Sequence, residues 1–212
     1  MNRSAVHTIR EELMGVAIFV GTIWGVFLLD SIPGVPLKET MSLVPRTVTG
    51  LVGIVTMPFL HKDLSHLMSN TLPLVVLLGL LAGSRANTWY TVAALVFVSG
   101  SLLWLFAFPR SGLTAHVGAS GLIFSLITFL IASGYFERRP VPLLIAVLVG
   151  VMYGTTLLFG IIPGFQSGKH VSWDGHLWGA VAGIAVAYMN TILPTLRESG
   201  ANAQDNSDVP LA

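Results

Sequence analysis

The chain has 212 residues, of which 53% are hydrophobic and 10% are charged, and its mean hydropathy is +0.77. A soluble domain carries about 25% charged residues, so this composition is too apolar for a water-facing surface and indicates a membrane protein. The formal net charge of +1 provides no basic patch for nucleic acid. The lack of cysteine excludes disulfides, thiolate metal sites and cysteine nucleophiles.

The apolar residues are gathered into long runs. A membrane-spanning helix needs about 20 mainly apolar residues, and six runs bounded by charge, Pro or Gly meet this requirement. Solid runs without alternation predict helices, because lipid offers no partner for an open backbone. The fold predicted is an all-α membrane protein, a compact bundle of six transmembrane helices over residues 13–29, 64–82, 89–108, 117–135, 141–162 and 173–193.

The runs divide the chain into three parts. Residues 1–12 are polar and are predicted to be a cytoplasmic N-terminus, since the run that follows lacks a signal-peptide cleavage site. Residues 13–196 form one membrane domain with a long first loop, 31–63, whose apolar part should lie in the membrane interface or against the bundle. Residues 197–212 are polar and are predicted to be disordered.

The orientation of the bundle is weakly encoded. With the N-terminus in the cytoplasm, the inner segments hold six basic residues and the outer segments hold five. The Arg138-Arg139 pair and the basic N-terminus favour cytoplasmic N- and C-termini. A compact chain without an organelle presequence is predicted to lie in a bacterial plasma membrane.

Polar side chains within spans are costly and are functional candidates. His66 and Asn70 are four residues apart and share a helix face. Both can donate hydrogen bonds to an oxygen that becomes negative in an acyl-transfer reaction. The alternative is that they join helices as structural hydrogen bonds. His116 is a further polar candidate, just outside the fourth span.

Ser120 and His176 each lie at the glycine-flanked start of an apolar run. A serine needs an adjacent base to become a nucleophile, and His176 would supply it. Glycines allow close approach of another helix or a substrate. The alternatives are plain helix packing for the serine and a buried, satisfied histidine. The flanking glycines are Gly118 and Gly121 beside Ser120, and Gly175, Gly179 and Gly183 along the helix of His176.

Asp174 is the acidic residue nearest to either motif. It is two residues from His176, so the two side chains do not share a helix face. The sequence therefore predicts a Ser–His dyad and a capping role for Asp174 at the helix N-terminus.

Three segments together resemble the rhomboid family of intramembrane serine proteases. They are residues 59–70, 116–121 and 171–179, which fall in the family's order on the second, fourth and sixth spans. The resemblance covers about residues 49–190.

The resemblance implies roles for individual residues. Ser120 resembles the nucleophile and His176 the general base, while His66, Asn70 and the Ser120 backbone N–H look like the oxyanion donors. Tyr153 looks like the aromatic residue that packs against the catalytic histidine.

Two further features of the resemblance concern the surroundings of this dyad. The fifth span and residues 164–170 look like the gate and cap for substrate helices. Many members carry Trp-Arg in the first loop where this chain has Val52-Gly53, so either Arg46 replaces that pair or the loop is anchored differently.

The implied function is cleavage of transmembrane segments near the outer face of the bilayer, in a hydrated cavity, with membrane-protein substrates and the bilayer as partners. No His-Glu-x-x-His motif is present, and neither a metal nor another cofactor is predicted. Two other functions stay open. One is a non-proteolytic relative that binds transmembrane helices, and the other is a small transporter with His66, Asn70 and His176 along a polar pathway.

Overall fold

The computed structural model describes residues 3–84, 88–108, 115–163 and 172–207. Two short 3-10 turns, Thr49–Leu51 and Met57–Phe59, lie in the first long loop. The α-helices of the described residues are α1 (Arg3–Asp30), α2 (Leu37–Met41), α3 (Gly53–Thr56), α4 (Leu64–Ser84), α5 (Thr88–Phe106), α6 (Ser120–Glu137), α7 (Pro140–Gly160) and α8 (Trp173–Ser207).

The prediction of an all-α membrane bundle is confirmed. Within the described ranges, five helices are long and apolar enough to cross a membrane, namely α1 from Ile9 onward, α4, α5, α6 and α7. The sixth predicted span falls within α8, whose first turn carries the polar Asp174 and His176.

The last helix extends beyond the predicted sixth span. α8 continues to Ser207, into the segment 197–212 that the sequence predicts to be disordered. The division of the chain into N-terminus, membrane domain and tail stays a prediction.

α6 is the central helix of the bundle. Of its span, 67% is buried inside the protein, and it packs mainly against α8 and α7. Its side chains are apolar around most of the circumference, including the fully buried Leu126, Ile127 and Phe129. A helix that is hydrophobic all round belongs in the core, so the residue that begins α6 is held by a rigid element.

α1 and α7 lie at the periphery. Only 11% of the α1 span and 6% of the α7 span are buried inside the protein. Large apolar side chains such as Leu144 and Val151 are exposed on α7. Exposed leucine and valine on a long helix suit contact with lipid, where a polar side chain would be unfavourable.

Contacts between helix ends define one end of the bundle. Trp178 Nε1 in α8 donates to the Phe106 carbonyl oxygen at the end of α5 at 3.2 Å, and the end of α7 also lies beside the start of α8. The starts of α4 and α6 lie at the same end, since Gly118 lies against His66 and Gly121 against Gly175. The first long loop lies at this end too, since Leu43 and His116 exchange backbone hydrogen bonds of 3.1 and 2.8 Å just before α6.

The apolar part of the first loop lies against the bundle, as one of the two sequence alternatives expects. Met57 and Leu60 are buried, and α3 packs on α5. A β-carbon on Gly100 of α5 would lie 2.5 Å from the Ile54 carbonyl oxygen. The absent side chain at Gly100 thus lets the loop approach the helix directly.

Arg46 anchors this loop. Its Nη1 donates to the carbonyl oxygens of Leu105 at 3.3 Å and Ala107 at 2.9 Å. These carbonyl groups lie at the end of α5, where no following helical turn supplies an N–H donor. Trp104 Nε1 returns a hydrogen bond of 3.0 Å to the Thr47 carbonyl oxygen. Val52 is exposed and makes no such link, so the loop is fixed through Arg46.

Candidate active site

Ser120 occupies the first position of α6. Ala119 is the N-cap residue, and no side chain caps this helix start. The first N–H groups of a helix have no intrahelical partner. The Ser120 N–H is therefore available to donate a hydrogen bond to an oxyanion. Ser120 itself is half-buried.

Gly118 shapes the turn before Ser120. Its φ of +114° lies in the region that favours glycine, and its N–H donates to the Met57 carbonyl oxygen at 3.0 Å. A β-carbon at Gly118 would lie 2.8 Å from His66 Nε2 and 3.6 Å from Asn70 Nδ2. The fold therefore brings both side-chain donors against the backbone that leads into Ser120.

The start of α4 explains where these donors point. Asp63 Oδ1 accepts the His66 N–H at 2.8 Å, the bond of an N-cap residue to the third residue of a helix. His66 and Asn70 then follow one turn apart on the same face. Asn70 is buried and His66 is half-buried.

Asn70 has a buried partner that the sequence analysis did not single out. Its Nδ2 lies 3.1 Å from His61 Nε2, and the His61 and His66 rings meet edge to face with centroids 5.1 Å apart. Burial, and then the neighbouring His66, lower the pKa of His61 to about 4. A neutral His61 accepts one amide hydrogen of Asn70 through Nε2 and leaves the second free. His61 thereby orients the amide.

His176 is buried in the first turn of α8. Its Nδ1 lies 3.0 Å from the carbonyl oxygen of Gly160, the last residue of α7. A carbonyl oxygen can only accept, so Nδ1 carries the proton and the neutral ring has its lone pair on Nε2. This is the tautomer that a general base needs.

Phe124 stacks on the His176 ring. The ring centroids are 4.1 Å apart and the planes differ by 3°. Phe124 is four residues after Ser120 on α6, one turn along the same face. This corrects the prediction for Tyr153, which lies half-buried on α7 at the edge of the main core. The spacing from Ser120 was the signal for Phe124 in the sequence.

Glycines bring α6 and α8 into backbone contact. A β-carbon on Gly179 would collide with the carbonyl oxygen of Gly121 and lie 3.1 Å from its carbonyl carbon. A β-carbon on Gly121 would lie 3.4 Å from the Gly175 carbonyl oxygen. One turn on, a β-carbon on Gly183 would collide with Thr128 and Ser125. The first turns that carry Ser120 and His176 therefore face each other closely.

The cap of α8 differs from the sequence prediction. Ser172 precedes the helix, and its Oγ accepts the Gly175 N–H at 3.3 Å, the usual bond of an N-cap residue. Asp174 lies inside the first turn, where its Oδ1 accepts the same N–H at 3.1 Å. Ser172 has the cap geometry because it is three residues before Gly175, whereas Asp174 is adjacent to it.

Among the described residues, Ser120 Oγ makes no hydrogen bond, so Ser120 and His176 are not hydrogen-bonded to each other in this structure. Catalytic contacts are often longer without substrate and tighten when it binds. Among the same residues, no three His, Asp or Glu side chains are grouped to hold a metal ion. The cap expected over residues 164–170 lies outside the described residues.

Comparison with known proteins agrees with this architecture. Residues 49–192 match the model of the Rhomboid domain. The chain belongs to the rhomboid family. Uncharacterised proteins of Mycobacterium tuberculosis and Mycobacterium bovis are each 40% identical to it over 179 residues, which is 82% of this chain and 73% of theirs. An uncharacterised protein of Mycobacterium leprae is 38% identical over 187 residues, 85% of this chain and 73% of its own. The protein is thus a multi-pass membrane protein of this family.

Proposed function

We propose that this rhomboid is an intramembrane serine endopeptidase that cleaves transmembrane segments of membrane proteins with a Ser120–His176 dyad. The hydrogen bond from His176 Nδ1 to the Gly160 carbonyl oxygen, 3.0 Å long, carries the proposal. It leaves Nε2 as the base on the helix turn that packs against the start of α6.

The reaction follows from these positions. Ser120 Oγ attacks the carbonyl carbon of the scissile peptide bond while His176 Nε2 takes the hydroxyl proton. The imidazolium then gives that proton to the leaving amine, and water releases the acyl group from Ser120 in the reverse sequence. In each step Nδ1–H stays on the Gly160 oxygen and the ring stays against Phe124.

A carboxylate partner is unnecessary in this arrangement. In a triad the acid fixes the histidine tautomer and stabilises the imidazolium. Here the Gly160 carbonyl dipole would fix the tautomer, and the electron-rich face of Phe124 would favour the cation. Neither group can take up a proton, so the histidine exchanges protons only with Ser120, the substrate and the water that releases the acyl group.

The oxyanion would be held by three donors. His66, Asn70 and the Ser120 N–H converge around Gly118, where the glycine leaves room for the developing oxygen. Each well-placed donor is typically worth ~10²–10³ in rate, about 3–4 kcal/mol. His61 supports this role by keeping an amide hydrogen of Asn70, rather than its oxygen, available.

The site would act near the outer face of a bacterial plasma membrane, with both termini in the cytoplasm. The starts of α4, α6 and α8 share one end of the bundle, opposite the N-terminus of α1. Because α7 lies at the periphery, with 6% of its span buried, the side of the bundle that it covers offers a lateral path for a substrate helix.

Reconstitution tests the proposal. The protein is placed in liposomes with a model single-span substrate that carries helix-breaking residues near its outer end, alone and as Ser120→Ala and His176→Ala. The expected result is cleavage within the outer part of the span by the unaltered protein and loss of at least ~10³-fold in both variants. Cleavage that survives Ser120→Ala would refute the dyad. Stable substrate binding without cleavage would instead favour a helix-binding relative.

A further inference from the structure

A second polar network lies beside the dyad and is not used by the mechanism. It consists of His116, Ser172 and Asp174, here named the α8 latch. Asp174 is 0% exposed and His116 is 4% exposed, while Ser172 is half-buried. Burying ionisable side chains is unfavourable unless hydrogen bonds compensate them. Their joint burial at the two helix starts calls for a role.

The hydrogen atoms of the α8 latch can be assigned. Ser172 Oγ donates its single proton to Asp174 Oδ1 at 2.9 Å. Toward His116 Nδ1, 2.6 Å away, the same oxygen can therefore only accept. His116 thus carries a proton on Nδ1 and donates it to Ser172. The direction of donation runs from His116 through Ser172 to Asp174.

Two members of the α8 latch, His116 and Ser172, are tied to opposite walls of the candidate site. His116 lies four residues before Ser120. It pairs with Leu43 of the first loop through two backbone hydrogen bonds of 2.8 and 3.1 Å. On the other side, the Ser172 carbonyl oxygen accepts the His176 N–H at 3.2 Å. The network therefore joins the segment that leads to Ser120 with the residue that holds the His176 backbone.

We infer that the α8 latch is a positioning device that fixes the first turn of α8, and with it His176, relative to Ser120. His116, Ser172 and Asp174 touch no reacting atom in this scheme and act through His176. The inference rests on the proposed function for its catalytic consequence. A misplacement of about 1 Å can lower a rate by as much as ~10²-fold, so the latch is expected to affect turnover more than substrate binding.

Two matched pairs of variants test the α8 latch. His116→Leu removes the donor while keeping bulk, whereas the amide nitrogen of His116→Asn can occupy the place of Nδ1 and still donate. Ser172→Ala removes the hydroxyl, whereas Ser172→Thr keeps it. The disruptive variants should lose ~10- to 10²-fold in kcat with KM changed less than about threefold, and the conservative variants should stay within about threefold of the starting rate. Equal rates within each pair would overturn the inference.

Hydrogen exchange gives a second measurement that needs no activity. In a Ser120→Ala background, His116→Leu should speed the exchange of the Gly175 and His176 amides by about 10-fold or more, and His116→Asn should not. An unchanged exchange rate of these amides in His116→Leu would overturn the inference, whether or not the protein is a protease. If His116→Leu does not fold, His116→Met, which also lacks a donor, takes its place in the comparison with His116→Asn.

These experiments distinguish a failure of the proposed function from a failure of the α8 latch. In that case the unaltered protein cleaves no better than Ser120→Ala, while the exchange rates still decide whether the latch holds α8. The combined His116→Leu and Ser172→Ala protein adds one more criterion. It should be no slower than the slower single variant, because both changes break one chain of contacts, and additive losses would contradict the inference.

Discussion

The substitution Gly179→Ala tests how closely α6 and α8 must approach. The new methyl group would collide with the Gly121 carbonyl oxygen and lie 3.1 Å from its carbon and 3.3 Å from its Cα. Carbon atoms in ordinary contact are ~3.5–4.0 Å apart. The neighbouring atoms are helix backbone and cannot rotate away, so the two helices must separate by about 0.5–1 Å.

The consequences for stability and for activity differ in size. Overpacking costs about 1–3 kcal/mol, and the gain of alanine over glycine in a helix returns about 1 kcal/mol. The net loss of stability is thus at most about 2 kcal/mol, and the bundle should still fold. Because the same shift moves His176 away from Ser120, the reaction rate should fall by as much as ~10²-fold.

The assay is the rate of labelling by a fluorophosphonate, measured beside the unfolding midpoint in mild detergent. Gly79→Ala in α4 is the matched control, because nothing lies within 4 Å of its new β-carbon. The control should label within about twofold of the starting rate and be up to ~1 kcal/mol more stable. Equal labelling rates for Gly179→Ala and Gly79→Ala would refute the argument that helix spacing sets the dyad.

Three further outcomes are expected. Asn70→Ala and His66→Ala should each lower the cleavage rate by ~10²–10³-fold, and an unchanged rate would remove that side chain from the oxyanion site. Phe124→Leu should slow labelling by about 3- to 10-fold through loss of the stacked ring, whereas Tyr153→Leu should not, and the reverse order would restore the original assignment of Tyr153. Because the pKa of His61 is lowered to about 4 from 6.5, the unfolded chain binds a proton below pH 6.5 that the folded chain does not. Stability should therefore fall as pH drops from 6.5 toward 4, by up to roughly 3 kcal/mol. His61→Gln should flatten this decline in unfolding curves, and an equal decline in both proteins would show that His61 is not its source.

Local patterns were enough to locate much of the fold and to place His66 and Asn70 on one helix face. Length and hydropathy predict the helices because lipid requires a closed backbone. The spacing of His66 and Asn70 predicts a shared face because i and i+4 lie one turn apart. That Gly118 would lie against both was not predictable, since the contact depends on the packing of α4 on α6.

The residues that sequence reasoning missed act through contacts between distant segments. The carbonyl of Gly160 orients His176, but a backbone oxygen leaves no side-chain signal. Ser172 caps α8 in place of Asp174, and only the observed start of the helix distinguishes the two. Arg46 anchors the first loop seven residues before Gly53, the position at which many family members carry an arginine. This replacement was not predictable because loop geometry follows no fixed period. Phe124, by contrast, could have been found from its spacing to Ser120.

Fluorophosphonate labelling followed by intact mass measurement tests the central claim most directly, because it requires no known substrate. The unaltered protein, folded in mild detergent, is compared with Ser120→Ala and His176→Ala. The expected result is a single adduct on the unaltered protein and none on either variant. Labelling that persists in Ser120→Ala, or a folded unaltered protein that takes up no label, would contradict an activated serine at this site.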